Sequence, residues 1–352
     1  MSVPSNRPAA TRPQHLALFV AGCLWLIAAS LAASNSAQGI TDRFHLVVLE
    51  PLLQQAFLSF LLLTGFAMLD WMVYRRMEFG AANALPGRPT IGQEWLLGTA
   101  LGWGMLLAAV TPMVLLGALH PQLWLAPRSW WLSLLSLATL ALMALALELA
   151  FRGYLFQQLI GATGPVAATI LLSLLYALLV TFRTDWTWWS FVVTFVAGIL
   201  FSMAYLRTHA LWLGWGLHFA WVAAMTVFFG LPLAGDATYS SLVTTTASGP
   251  VIFTGGLYGP EGAALTSLVL LAAIVMLYRI TRDYAWNYTH PAILSAGYPM
   301  DIAPPAAHTA METAAASSSP LVTIASITPS SASTLPVIDE HLRATQSADK
   351  KD

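Results

Sequence analysis

The stretch that decides the fold is Trp130–Leu159, WWLSLLSLATLALMALALELAFRGYLFQQL. Its first 18 residues carry no charge, and about 20 apolar residues suffice for a helix to cross a bilayer. The run is therefore read as a membrane-spanning helix. Two charges interrupt it near the far end, Glu148 and Arg152. Glu148 stands 11 residues before Leu159, or roughly 16 Å at 1.5 Å per residue, which is mid-membrane. An ionisable side chain at that depth costs about 2.5–3.5 kcal/mol on insertion scales, so it marks a site by default. Arg152 follows by one turn on the same face, in the favourable acid-before-base order. The pair has two readings. Either the charges neutralise each other and tie this helix to its neighbours, or Glu148 polarises a water or a substrate.

Working outward, the rest of the chain repeats the apolar pattern. Seven more candidate spans are Leu16–Ala33, Val47–Met72, Trp95–Leu119, Val166–Phe182, Thr187–Leu206, Leu211–Leu233 and Ala263–Tyr278. The fold expected is all-α, a polytopic transmembrane bundle of about eight spans occupying 16–282. Composition agrees. Of 352 residues 57% are hydrophobic and 9% charged, against roughly 25% charged in soluble proteins; mean hydropathy is +0.69. Nine of the 31 charged residues fall in 301–352, leaving 22 for the first 300, too few to clothe a water-soluble surface. Net charge is −1, so nucleic acid has no electrostatic footprint here, and the implied environment is membrane lipid. The single cysteine, Cys23, excludes an intramolecular disulfide or a thiolate cluster and reads as an apolar-span residue.

The Lys/Arg bias of short loops sets orientation. With residues 1–15 cytoplasmic, inside segments hold Arg7, Arg12, Arg75, Arg76, Arg88, Arg207, Arg279 and Arg282, and outside loops hold Arg43, Arg128 and Arg183. Both termini are expected on the cytoplasmic side, with loops 34–46 and 232–261 outside. Trp71, Trp95, Trp130, Trp131, Trp186, Trp188 and Trp189 sit near span ends, as interfacial aromatics do. Glu50 and Asp70, near the ends of their span, read as interfacial charges. Gly98 and Gly102 form a GxxxG pair suited to close helix packing, and Pro112 is expected to kink its helix. Residues 283–352 are expected to form a cytoplasmic tail. Thirty of its last 52 residues are Ala, Ser, Thr or Pro, which cannot bury enough apolar surface to offset ordering entropy.

A second polar group lies within a span, His218, in Trp212-Leu213-Gly214-Trp215-Gly216-Leu217-His218-Phe219-Ala220-Trp221. It reads either as a packing residue or as a partner of the Glu148/Arg152 pair. His209, after Arg207, reads as interfacial. No cofactor pattern is visible. A metal site is not expected either, because a catalytic zinc takes three protein ligands plus water and Glu148 and His218 supply only two.

The run Leu147-Glu148-Leu149-Ala150-Phe151-Arg152-Gly153-Tyr154-Leu155-Phe156 resembles the first motif of the CPBP family, Glu-Glu-x-x-x-Arg followed by Gly and an apolar run. That family groups CAAX prenyl endopeptidases with bacteriocin-processing and self-immunity membrane proteins. Tyr176 to Val180 resembles its second motif, Phe-x-x-x-His, and His218 to Val222 its third, His-x-x-x-Asn/Asp. The resemblance covers about 130–230. It implies an intramembrane endopeptidase in which the first Glu and the motif-two His activate water, while the motif-three His and Asn stabilise the oxyanion. Here those positions hold Leu147, Val180, His218 and Val222. Leu147 and Val180 can neither accept a proton nor stabilise an oxyanion, so a drier cavity and impaired catalysis are expected. A neighbouring helical position is rotated by about 100°, so Glu148 cannot stand in for residue 147 without the helix turning. Glu148, Arg152 and His218 remain the candidate catalytic residues. The substrate class implied is a peptide or transmembrane protein. The alternatives are a non-catalytic binding or immunity scaffold and, on the buried pair alone, a small-solute transporter.

Overall fold

The computed structural model describes residues 11–46, 49–77, 85, 87, 89–123, 127–181, 186–234 and 243–282. Residues 1–10 and the expected tail, 283–352, lie outside the described residues, as do Arg88 and Arg183. Helices run over Arg12–Phe44 (α1), Glu50–Met77 (α2), Ile91–Leu115 (α3), Pro127–Glu148 (α4), Phe156–Thr163 (α5), Pro165–Thr181 (α6), Trp188–Thr208 (α7), Trp212–Ala223 (α8), Val251–Thr254 (α9) and Ala264–Ile280 (α10). A π-helical stretch, Leu149–Leu155, joins α4 to α5, and a second, Ala224–Phe228, extends α8. Among the described residues, five helices are long and apolar enough to cross a membrane: 12–44, 50–72, 91–115, 130–163 and 188–208; 165–181, 212–228 and 264–280 are shorter apolar helices. This is a helical membrane protein.

The bundle is all-α in class, accompanied by a short ribbon in which Leu119–Leu123 (β1) pairs antiparallel with Val243–Ala247 (β2). One expectation is corrected: the loop expected at 34–46 is mostly the end of α1, which runs to Phe44 and stops on His45 in the left-handed conformation. A backbone in or near a bilayer satisfies its polar groups most simply by staying helical, so α1 outlasts its apolar run. Pro112 lies in the last turn of α3, which ends three residues later. Cys23 is half-buried within α1.

Helix faces divide by size. On α1, Leu16, Val20, Leu24, Ile27 and Leu31 are exposed, while Ala29, Ala33 and Ala37 are buried. Small residues one turn apart let helices approach without a hydrophobic drive between them. The tightest approach joins α3 to α8. A Cβ on Gly98 would lie 2.1 Å from the Leu213 carbonyl, and one on Gly216 2.3 Å from the Trp95 carbonyl. The GxxxG reading therefore holds, and it seats the helix that carries His218. A capping box starts α7: Thr187 Oγ1 accepts from Ser190 N–H at 3.2 Å, and Ser190 Oγ accepts from Thr187 N–H at 2.8 Å. At its other end Arg207 donates to the Thr281 hydroxyl and carbonyl at 3.1 and 2.9 Å, tying α7 to the end of α10.

Candidate functional site

Glu148 closes α4 and Arg152 lies in the π stretch that follows, each 1% exposed. Arg152 Nη1 approaches Glu148 Oε1 at 3.5 Å. The guanidinium is otherwise walled by aromatic faces, its carbon 4.8 Å from the Tyr176 ring centre, 4.9 Å from Phe201 and 5.6 Å from Phe151. Ring faces stabilise a desolvated cation, so aromatic residues of the π stretch, α6 and α7 share its neutralisation with one carboxylate.

His218, on α8, is 4% exposed. Its Nδ1 lies 3.0 Å from the same Glu148 oxygen, and Phe201 packs against its ring at 4.8 Å between centroids. Gly214, one turn before, leaves the carboxylate room: a Cβ there would stand 3.1 Å from Glu148 Oε2. Arg152 cannot shed its proton, so the carboxylate beside it serves as counter-charge and acts as acceptor. Nδ1 then carries the hydrogen of the shared bond, and Nε2 is left as the basic nitrogen. The sequence-predicted trio thus meets at one carboxylate oxygen.

His218 also lines two cavities. The larger, about 130 Å³, is walled in part by Leu147, Val180, Val222, Tyr176, Gln55 and Glu261. The smaller, about 40 Å³, shares Tyr176, Val180, His218 and Glu261, and adds Phe201 and Trp221. Three positions that depart from the motifs therefore converge with His218 on one space, large enough for several waters. Leu147 lines it and Glu148 does not. The neighbouring positions thus face different surroundings, as helical rotation requires.

Residues 127–224 match the family of Rce1-like type II CAAX prenyl endopeptidases. This Rce1-like segment covers the resemblance read from Leu147 to Val222 and holds all three candidate residues. No curated protein matches the chain.

Two polar residues that line the cavities, Gln55 and Glu261, lie outside the Rce1-like segment and escaped the sequence reading. Gln55 is on α2. Glu261 belongs to the segment expected to form an outer loop, and it adds a carboxylate to the cavity that Leu147 and Val180 wall. Glu261 Oε1 accepts from Trp221 Nε1 at 2.9 Å and Oε2 from the Ala234 N–H at 3.2 Å. The backbone that delivers it doubles back through Gly255 (φ 77°) and Gly259 (φ 91°), conformations suited to glycine. The signal available was Gly-Pro-Glu-Gly at 259–262. It reads as a turn, and nothing local shows where a turn's side chain will point.

Proposed function

We propose that this CAAX protease-like membrane protein is an intramembrane peptidase whose chemistry has moved onto His218 and Glu148. The observation that carries the reading is the 3.0 Å contact between His218 Nδ1 and Glu148, on a ring that lines an internal cavity. Glu148 orients the imidazole and stabilises the cation formed when Nε2 takes a proton from water. Arg152 stands beside Glu148 as its counter-charge, 3.5 Å away. A base within hydrogen-bond reach of the attacking water is worth 10²–10⁴-fold in rate. The family's own water-activating positions, Leu147 and Val180, contribute walls. The substrate is a peptide segment within or beside the membrane, and the chain sits in an inner (plasma) membrane with eight crossings and both termini cytoplasmic.

A second reading rests on Leu147, Val180 and Val222 lining that cavity: a non-catalytic relative that binds a peptide without cutting it. Purified protein in liposomes, offered single-span peptides, separates the two. The peptidase reading expects cleavage by wild type, lost at least 100-fold in Glu148→Gln and His218→Ala. Cleavage that survives the double substitution contradicts the site. Binding without cleavage by wild type supports the second reading.

A further inference from the structure

We infer that Glu261, supplied from outside the Rce1-like segment, is a catalytic residue of this site and binds the attacking water together with His218; the inference rests on the peptidase reading. Both cavities that His218 lines are also lined by Glu261. Trp221 stands one turn after His218 on α8, and residues three apart on a helix are neighbours. The Trp221 indole N–H holds Glu261 Oε1 at 2.9 Å. Glu261 is fixed from three further directions. Ala234 N–H donates to its other oxygen at 3.2 Å. Thr266 Oγ1 donates to the Pro260 carbonyl at 2.6 Å, and Thr187 Oγ1 donates to the Gly262 carbonyl at 3.3 Å. Such locked placement is what preorganised chemistry requires. A loose outer loop would not hold a carboxylate in a cavity walled by Val180 and Val222.

The chemistry follows from two acceptors on one water. One hydrogen of the water is bound by His218 Nε2 and the other by the Glu261 carboxylate, which turns an oxygen lone pair toward the substrate carbonyl. As the O–C bond forms, the first proton moves to Nε2 and the carbonyl π pair moves onto its oxygen. When that oxyanion collapses, the C–N bond breaks and the amine leaves with the proton that His218 carried. The second hydrogen stays on the oxygen that becomes part of the product acid. Glu261 exchanges no proton; it orients the water and steadies the imidazolium. An imidazole and a carboxylate acting on one water are thereby reassembled from α8 and the turn before α10, in place of Leu147 and Val180.

The test uses the full chain in liposomes with a pool of single-span peptides, in H₂¹⁸O, with products read by mass spectrometry. Wild type is expected to place ¹⁸O in the new carboxyl group. Glu261→Gln is expected to lower kcat about 100-fold with KM nearly unchanged, while Glu261→Asp, which keeps the charge, recovers part of it. Trp221→Phe, which leaves the carboxylate but removes its indole donor, is expected to lower kcat several-fold. Thermal midpoints of the purified variants report folding. If Glu261→Gln fails to fold, a kcat in Trp221→Phe equal to that of wild type counts against the inference. A folded Glu261→Gln within threefold of wild type, beside an inactive His218→Ala, overturns the role of Glu261 and leaves the peptidase reading standing. A wild type that makes no ¹⁸O product overturns both.

Discussion

A guanidinium sealed from water needs its counter-charge inside the protein. Arg152 has Glu148 at 3.5 Å and three aromatic rings, and its Nε meets no hydrogen-bond acceptor among the described residues. Removing one partner of a buried ion pair costs about 3–5 kcal/mol, whereas removing both is often neutral. Glu148→Leu is therefore expected to lower stability by about that amount, measured by unfolding in mixed SDS and detergent micelles. Glu148→Leu with Arg152→Leu recovers most of it. An unchanged stability in the single variant would show that Glu148 is not the counter-charge. These residues were legible in the sequence because the bilayer makes charge expensive, so each survivor in a span stands out. Glu261 was not legible for the opposite reason. It lies in a polar, glycine-rich segment where a carboxylate is unremarkable, and only the return of that segment to α8 gives it a partner.

At the scale of elements, the site depends on how α8 is seated and on the turn that follows Glu148. Gly98 and Gly216 bring backbone against backbone, and small-to-large changes at packed positions cost about 1–3 kcal/mol. Gly98→Val and Gly216→Val are expected to lower the thermal midpoint and to displace His218, reducing any turnover along with it; midpoints equal to wild type would contradict the close seating. The π stretch Leu149–Leu155 closes i→i+5 hydrogen bonds in place of i→i+4, a feature frequent at functional sites. Deleting Leu149 makes the Glu148–Arg152 spacing three residues and turns the downstream face. The expected result is loss of folded protein by size exclusion, and a fully folded deletion variant would contradict the role given to this stretch. Helix locations followed from apolar runs. The π geometry did not, since Leu-Ala-Phe-Arg-Gly-Tyr-Leu is compatible with plain α-helix and tertiary contacts decide the register. The end of α1 was missed because Asn35, Ser36 and Gln38 read as loop, yet the helix passes through them.

At the scale of the molecule, the described residues hold five long apolar helices and three shorter ones; the proposed eight crossings require each short helix to traverse the bilayer as well, which returns the chain to its starting side. Reporter fusions within 235–242 and after residue 282 are expected to report opposite sides, outside and cytoplasm; the same side for both would contradict the topology. The overall class was legible from charge scarcity alone, and the small sheet between β1 and β2 was not, because Leu119–Leu123 is brief and its partner lies more than 100 residues away. On the proposed function, a peptide enters the cavity where Leu147, Val180 and Val222 meet His218. The most direct measurement places a photo-crosslinking side chain at 180 or 222 and, as a control, at the exposed position 171, with single-span peptides added to the reconstituted protein. Peptide adducts at 180 and 222 that exceed those at 171, and that fall when Leu147→Trp fills the cavity, are the predicted result. Equal labelling at all three positions, unchanged by Leu147→Trp, would contradict it.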